Sequence, residues 1–425
     1  MVKYKQLIFF FVYWIIYSGL LTQFIGLSRY LEYLPDLIVL ILGISLYNKK
    51  TVVPINKLLG KSILIIIGLF FLVGFISSLL SYFTLSGFLW GIRNYIRYLL
   101  LFMAVYKLFN WDDILRLKEI YIQGLKYNIL FILFQTLVLG MYGDPVGGTF
   151  SGGNSSFYVF MLPGLSMVCC DYFQGEKTWK QLLFYIAGIV YFAIVGESKV
   201  VYFTLPFIIY GAYVLMKKFS MKHLVVLVLG FLFVIPVFQY FMGFYYSQEY
   251  IDGIFDLEYI EKETSNTGFG IFNRSTSIEL SNALFLDNEK HFLLGYGFNS
   301  SSLSSLFDAP ILHYFDFREI AAYNLFTPSF LLAEVGWIGF ILFVLGHIFL
   351  LVRLWKFYRA SNDLIIKNWT SVGLLTLGIT FLLMWYNNKP VVEYYIMYLL
   401  WAAIAVALRC RIQELRQLKY KMRKL

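Results

Sequence analysis

Two arginines, Arg93 and Arg97, lie four residues apart inside the apolar stretch 88–108, where a charged side chain is costly. On a helix this spacing places both guanidinium groups on one face. Guanidinium groups bind phosphate oxygens in pairs, so the two residues are candidates for an anion-binding site. Alternatively, they reach outward to the membrane interface, or they pair with Glu32 or Asp36 and fix helix packing.

Two more basic residues can contribute to such a site from outside this stretch. Lys199 ends a short polar break in a long apolar run, and the break predicts a tight hairpin. Arg274 opens a predicted helix over 275–285 in a segment that is otherwise acidic. Lys199 is also explained as an ordinary residue flanking a span, and Arg274 as an ion-pair partner of Glu279.

The sequence offers few groups that can accept a proton from a hydroxyl. His313, Asp316 and Glu319 cluster with Arg318 shortly before the chain becomes apolar again at 326. An imidazole or a carboxylate can take up a hydroxyl proton. Each of these residues is equally explained as ordinary loop surface, so the assignment of a base stays open.

Residue patterns for metal and redox chemistry are lacking in the sequence. Cys169 and Cys170 are adjacent, Cys410 is near the end of the chain, and the four histidines have no zinc-ligand spacing. A Gly-rich phosphate loop after a strand pattern and an internal repeat of the transporter kind are also missing. We therefore expect no metal and no cofactor.

The composition indicates whether most of these residues lie in water or in a lipid bilayer. Hydrophobic residues make up 60% of the chain and charged residues 14%, with a mean hydropathy of +0.70; soluble domains carry roughly 25% charged residues. The sequence therefore predicts an all-α integral membrane protein. We attribute the net charge of +10 to membrane topology and anionic lipid rather than to nucleic-acid binding.

Twelve stretches are apolar enough for membrane-spanning helices, which need about 20 residues. They fall at 6–27, 33–48, 62–81, 88–108, 120–142, 154–172, 181–197, 199–216, 223–243, 326–352, 369–387 and 393–409. No small-residue cleavage site follows the first, so we expect a retained span rather than a signal peptide. The stretches predict one polytopic membrane domain over 1–425.

The basic residues predict the orientation. With the amino terminus inside, 26 of the 35 lysines and arginines lie in inner connectors and the tail, which puts both termini in the cytoplasm. The segment 244–325, between spans nine and ten, is then outside, and it contains twelve acidic and four basic residues. Such a long connector is usually functional, so we expect a folded lid. The basic tail 410–425 is expected along the inner membrane surface.

Four short strings occur in order along these spans. They are Gly-Thr-Phe-Ser-Gly at 148–152, Glu197-Ser198-Lys199, the run from Arg274 through a short helix to Gly295-Tyr296-Gly297, and Leu332-Ala333-Glu334-Val335-Gly336-Trp337-Ile338-Gly339. Their order, with one large outer segment, resembles the Wzy-type O-antigen and capsular polysaccharide polymerases and the related O-antigen ligases. Lys199 stands where those proteins usually have arginine, and the His-Asn pair that many show before the last string is absent, with Tyr323-Asn324 nearby.

The resemblance implies an architecture like that of GT-C glycosyltransferases and a polymerase at the outer face of the bacterial cytoplasmic membrane. Its partners would be undecaprenyl-diphosphate-linked oligosaccharide repeat units, membrane lipids and a chain-length regulator. Fixed cations would stabilise the lipid diphosphate as it leaves. From the chemistry of the residues and the resemblance together, we expect the catalytic residues to be Arg274, His313 and Glu319, and the substrate contacts to be Arg93, Arg97, Lys199, Arg318, Tyr323 and Asn324.

Two alternatives remain open at this point. An O-antigen ligase transfers a glycan from the lipid carrier to an acceptor, but the departures at Lys199 and at the His-Asn pair weaken that interpretation. A lipid-linked oligosaccharide flippase or another transporter also has about twelve spans with basic residues. For a flippase we would expect two similar halves and short outer loops.

Overall fold

The computed structural model describes most of the chain. The described residues are 2–26, 31, 33–46, 53–81, 83–217, 225, 240, 243, 272, 274–298, 300–301 and 323–422. Of the predicted lid 244–325, the described part is therefore 272, 274–298, 300–301 and 323–325.

The described residues form α-helices joined by short turns. The helices are α1 Val2–Phe24, α2 Leu34–Ser45, α3 Ile55–Leu59, α4 Lys61–Leu80, α5 Leu85–Leu108, α6 Trp111–Leu137, α7 Gly153–Gln174, α8 Trp179–Val195, α9 Val201–Met216, α10 Ser277–Leu284, α11 Glu289–Leu294, α12 Thr327–Ala360, α13 Leu364–Tyr386, α14 Lys389–Val392 and α15 Tyr395–Met422. A 3₁₀ turn, Tyr323–Leu325, precedes α12. The prediction of an all-helical fold is confirmed for this part of the chain.

Six of the described helices are long and apolar enough to cross a membrane, namely α1, α4, α7, α12, α13 and α15. Helices α2, α8 and α9 are apolar but shorter. Every predicted span except 223–243 coincides with a helix, and that ninth span lies outside the described residues apart from 225, 240 and 243. The chain is thus membrane-embedded by composition, while the count of twelve spans stays a prediction.

Helix α5, which carries both arginines, is fixed at its ends by local sequence. The Thr84 hydroxyl accepts a hydrogen bond from the Gly87 N–H at 3.2 Å and caps the first turn. After α5 the chain is extended at Phe109, and Asn110 and Asp113 then start α6 with reciprocal capping hydrogen bonds. Helix α5 packs against α2 and α15. Arg97 pairs with Asp36 in the first turn of α2 and lies over the ring of Tyr395 at the start of α15.

Helices α8 and α9 are joined by a tight turn at the polar break in the sequence. The Gly196 N–H donates to the Phe192 carbonyl at 2.8 Å, and Glu197 has a positive φ of 51°. A non-glycine residue in this region is typical of a sharp turn. The predicted hairpin is confirmed at this position.

Helix α12 is broken near its start. Gly336 has φ 58° and ψ −166°, a conformation that essentially only glycine adopts. The N–H groups of Tyr296 and Gly297 donate to the Ala333 and Glu334 carbonyls beside the break, each at 2.8 Å. The break therefore docks this part of the predicted lid onto the helix. The predicted helix 275–285 also forms, as α10, and packs against α12.

The predicted tail does not begin a separate element. Helix α15 continues through it to Met422, and 423–425 lie outside the described residues. Arg409 donates to the carbonyls of Tyr106 and Phe109, and Arg411 pairs with Asp363 at 2.5 Å. These contacts join α15, around the start of the tail, to the end of α5 and the start of α13.

Candidate functional site

A cavity of about 300 Å³ opens beside the starts of α2, α7 and α15 and the first half of α5. Its wall includes four charged side chains: Arg93, Arg97, Asp36 and Glu393. Charged groups in a membrane protein are rare and usually face a cavity or each other. A cavity with a few convergent polar groups is the usual form of a small-ligand site, so we take this one as the candidate site.

Asp36 holds the two arginines together. Its Oδ2 lies 3.2 Å from Nη1 of Arg93, and its Oδ1 lies 3.2 Å from Nη1 of Arg97. The Tyr395 hydroxyl also donates to Oδ1. The packing alternative considered from the sequence is therefore correct for Asp36. One carboxylate shared by two guanidinium groups leaves an excess positive charge at this point.

Each guanidinium group is oriented by further contacts. Nη2 of Arg97 donates to the Tyr98 hydroxyl at 3.1 Å and to the backbone carbonyl of Val392. The Arg93 group lies 3.7 Å from the centre of the Trp90 ring, close enough for a cation–π interaction. These contacts restrict the side chains, so both charges are held in place before any ligand arrives.

Three N–H groups at the arginine pair are not used within the described part of the chain. Nε of Arg93, Nε of Arg97 and Nδ2 of Asn94 are buried without a hydrogen-bond partner there. Asn94 is 2% exposed and lines the cavity. Buried donors without an acceptor cost free energy, so the protein carries an unfavourable polar cluster beside the cavity.

Glu393 forms another part of the wall, in the turn between α14 and α15. Its Oε2 lies 2.5 Å from Nζ of Lys389 and accepts from the Ser156 hydroxyl at 2.9 Å. Burial alone would raise the pKa of Glu393, but Lys389, Ser156 and Arg97 hold it below its ordinary value. The side chain is thus an ionised carboxylate at neutral pH.

The connection between α6 and α7 is held beside the cavity by buried amides. The Gly148 N–H donates to Gln135 Oε1 at 2.9 Å, and the Thr149 N–H donates to Asn128 Oδ1 at 2.7 Å. This connection contains the string 148–152 that contributed to the family resemblance. Its hydrogen bonds place the start of α7 at the cavity wall, where the positive end of the helix dipole favours an anion.

Lys199 and Arg274 do not line this cavity. Lys199 lies in the turn between α8 and α9, and Asn154 at the start of α7 donates to the Gly196 carbonyl in that turn at 2.8 Å. Arg274 donates from Nε to the Tyr386 carbonyl at 3.3 Å, and its guanidinium carbon is 4.2 Å from the centre of that ring. Both residues lie near the same end of the helices as the arginine pair, so their substrate roles stay predictions.

Tyr323 and Asn324 have structural contacts. Tyr323 is 2% exposed, packs with Phe272 and Phe285, and donates to the Ser300 carbonyl at 2.9 Å. The Asn324 carbonyl accepts from Asn388 Nδ2 at 2.7 Å. Packing accounts for both positions, and a contact with substrate stays a prediction.

The remaining predicted site residues, His313, Arg318 and Glu319, lie outside the described residues, as does Asp316. The structure therefore brings together two of the nine predicted residues, Arg93 and Arg97, in one cavity. Among the described residues, no group of three His, Cys, Asp or Glu side chains could hold a metal ion, and metal independence stays a prediction.

Three groups in the cavity wall were not predicted from the sequence: Asn94, Ser156 and Glu393. A signal existed for Glu393, because it follows Lys389 by four residues, a spacing that pairs opposite charges on a helical turn. Asn94 and Ser156 gave no such signal. Comparison of the chain with protein-family models, with curated proteins and with solved structures finds no match.

Proposed function

We propose that this chain is a glycosyltransferase that polymerises undecaprenyl-diphosphate-linked oligosaccharide repeat units at the outer face of the bacterial cytoplasmic membrane. Both termini would be cytoplasmic and twelve helices would span the membrane. The product would be a surface polysaccharide such as O-antigen, capsule or exopolysaccharide. The order of short strings that resembles Wzy-type polymerases is the starting point of this proposal.

The observation that carries the proposal is the fixed arginine pair, which lines the cavity and shares a single carboxylate, Asp36. In the proposed reaction the growing glycan leaves one lipid diphosphate and joins a hydroxyl of the next repeat unit. Negative charge grows on the diphosphate as the glycosidic bond breaks. Arg93 and Arg97 would donate to its oxygens, and donors fixed beforehand stabilise such a transition state most effectively.

Asp36 has a positioning role in this proposal. By binding both Arg93 and Arg97, it keeps two like charges close together without a substrate. An arriving diphosphate would meet them in a site partly shielded from water, where charge interactions are stronger. The cavity also lies at the starts of α2 and α7, which is the outer end of these helices in the predicted topology.

Purified protein in liposomes, supplied with synthetic lipid-diphosphate-linked repeat units, tests the proposal directly. A ladder of products that grows by one repeat unit, with and without EDTA, is the expected result. A deletion strain separates the alternatives. Loss of a polymerase leaves single repeat units on the lipid or final acceptor, loss of a ligase leaves polymer on the lipid, and loss of a flippase leaves repeat units trapped inside. Either of the last two patterns would contradict the proposal.

A further inference from the structure

A glycosyl transfer to a hydroxyl also needs a group that takes up the hydroxyl proton. This inference therefore rests on the proposed function and adds a catalytic residue to it. The candidates from the sequence, His313 and Glu319, lie outside the described residues. The described cavity offers two carboxylates, Asp36 and Glu393.

The two carboxylates differ in whether an oxygen is still free to accept a hydrogen bond. Both oxygens of Asp36 are occupied, since it binds Arg93 and Arg97 at 3.2 Å each and also accepts from Tyr395. A proton on Asp36 would break up the arginine pair. This carboxylate is therefore suited to positioning and poorly suited to proton transfer.

Glu393 has a free oxygen. Its Oε2 accepts from Lys389 and Ser156, whereas Oε1 has no hydrogen-bond partner in the described part of the chain. The side chain is 51% exposed, and it lines the cavity that also contains the arginines. The residue before it, Val392, accepts a hydrogen bond from Arg97 through its carbonyl. The open carboxylate oxygen thus lies beside the proposed diphosphate site.

We propose that Glu393 is the general base of the transfer. The hydroxyl oxygen of the acceptor forms a bond to the anomeric carbon of the donor while the bond from that carbon to the phosphate oxygen breaks. The electron pair of the broken bond leaves on the lipid diphosphate. The hydroxyl proton moves to Oε1 of Glu393 and is released to water before the next cycle.

The surroundings of Glu393 fix its charge and its position. Charged and polar groups face it from three elements: Lys389 of α14, Ser156 of α7 and Arg97 of α5. They keep the carboxylate ionised and hold Oε2, which restricts the position of Oε1. A positioned carboxylate base typically contributes about 10²–10⁴-fold to the rate.

Glu393→Gln tests the role because it keeps the shape of the side chain and removes the base. In the liposome assay we expect kcat to fall by roughly 10²–10⁴-fold, with the affinity for a soluble lipid-diphosphate analogue within about threefold of wild type. Glu176→Gln is a matched control, since Glu176 is 54% exposed and also pairs with a lysine, Lys118 at 3.9 Å. Its turnover should stay at the wild-type level.

Two further measurements separate a base from a merely structural residue. Formate should restore part of the turnover of Glu393→Ala, because it supplies a carboxylate in the space left by the side chain. Lys389→Met should move the acid limb of the kcat/KM profile to higher pH, because Lys389 lowers the pKa of Glu393.

The outcomes distinguish this inference from the proposed function. If wild type makes the ladder and Glu393→Gln matches it, Glu393 is not the base although the function stands. The inference is also overturned if Glu393→Ala gains nothing from formate and the acid limb of Lys389→Met does not move. If the wild-type protein itself makes no ladder, the proposed function is wrong, and the role of Glu393 as a base is wrong with it.

Discussion

Tyr95 donates a hydrogen bond to the Glu334 carboxyl group at 2.5 Å and so joins α5 to α12. Tyr95 is two residues from both Arg93 and Arg97, which places it on a different face of α5. Glu334 is fully buried, and its backbone carbonyl accepts from the Gly297 N–H at 2.8 Å. Glu334 therefore contacts the arginine helix with its side chain and the outer segment with its carbonyl. The positions of these two parts depend on each other.

Tyr95→Phe should destabilise the protein through this contact. The substitution removes one buried hydrogen bond and leaves a carboxyl oxygen with one donor fewer, at a cost of about 1–3 kcal/mol. Thermal unfolding in detergent measures the effect. Tyr127→Phe is the control, because Tyr127 is 52% exposed, and it should change stability by less than about 0.5 kcal/mol. Equal unfolding temperatures for the two variants would contradict a role for the Tyr95 contact.

Gly336→Ala should destabilise the protein far more than Gly346→Ala, a substitution in the same helix. A Cβ at Gly336 would lie 2.5 Å from the carbonyl carbon of Leu293, and the backbone there has a positive φ. Strain of this kind costs about 1–3 kcal/mol before the clash is counted. A Cβ at Gly346 would meet Ile66 at an ordinary 3.7 Å, so Gly346→Ala should be neutral or stabilising by up to about 1 kcal/mol.

The yield of monodisperse protein after gel filtration measures this pair of variants. We expect little folded Gly336→Ala and a wild-type peak for Gly346→Ala. Comparable yields would mean that the break in α12 does not require glycine, and that the docking of Gly295–Gly297 tolerates a rearranged backbone.

Asp363 should contribute stability that is lost in acid. Its Oδ1 accepts from the Ile365 and Ile366 N–H groups at 2.9 and 3.1 Å and caps α13, and its Oδ2 lies 2.5 Å from Arg411. Burial alone would raise the pKa of Asp363, but the Ile366 N–H and Arg411 hold it below its ordinary value.

A lowered pKa in the folded state means that the contribution is complete above the unfolded value, about 3.9. It disappears as the pH falls through the lower folded value. Asp363→Ala should cost about 1 kcal/mol for the cap alone at pH 7, and Asp363→Asn less, because the amide oxygen still accepts. Unfolding scans at pH 7 and pH 3 should show the gap between wild type and Asp363→Ala closing in acid. A gap that stays constant would contradict this account.

Much of the fold could be predicted from hydropathy, because each span is a local property of the sequence. The break in α12 could not. The apolar stretch 326–352 suggests one straight helix, and a hydropathy pattern carries no information on the φ of Gly336. The docking of 295–297 into that break joins two segments that are distant in sequence, which a local pattern does not report.

Parts of the candidate site could be predicted where neighbouring residues in the sequence indicate them. The spacing of Arg93 and Arg97 indicated a shared helical face, and the charge of Asp36 made it a possible partner. Glu393 reaches the cavity through contacts with Ser156, 237 residues earlier in the chain. This long-range contact follows from the packing of α7 against α15, which the local spacing of Lys389 and Glu393 does not predict.

The predicted orientation can be measured with topology reporters. A reporter fused after Gln248 or Asp308 should be external, and one after Lys57, Lys177 or Arg359 should be internal. The reason is that 26 of the 35 basic residues fall on one side of the predicted spans. Alkaline phosphatase and green fluorescent protein fusions report the two sides. A cytoplasmic segment 244–325 would contradict the topology and the proposed site of polymerisation.

The arginine pair should be needed for turnover per folded molecule, whatever its variants cost in stability. Arg97→Ala should reduce polymer formation by about two orders of magnitude or more, which matches the loss of one fixed donor to a developing charge, about 2.7–4 kcal/mol. Arg97→Lys should recover only part, because an ammonium group cannot make the bidentate contact of a guanidinium group. Arg274→Ala is expected to lose activity to a similar extent, whereas Lys199→Arg should be tolerated.

Arg353→Ala is the matched control for these variants. Arg353 also binds backbone carbonyls, those of Lys57 and Leu58 at 2.8 Å, but at the opposite, predicted inner end of the helices. We expect it to lower the unfolding temperature while turnover per folded molecule stays within a few-fold of wild type. Turnover is therefore normalised to folded protein for every variant. If Arg97→Ala and Arg274→Ala then make polymer of normal length and amount, both arginines are structural, and the diphosphate must be bound by other residues.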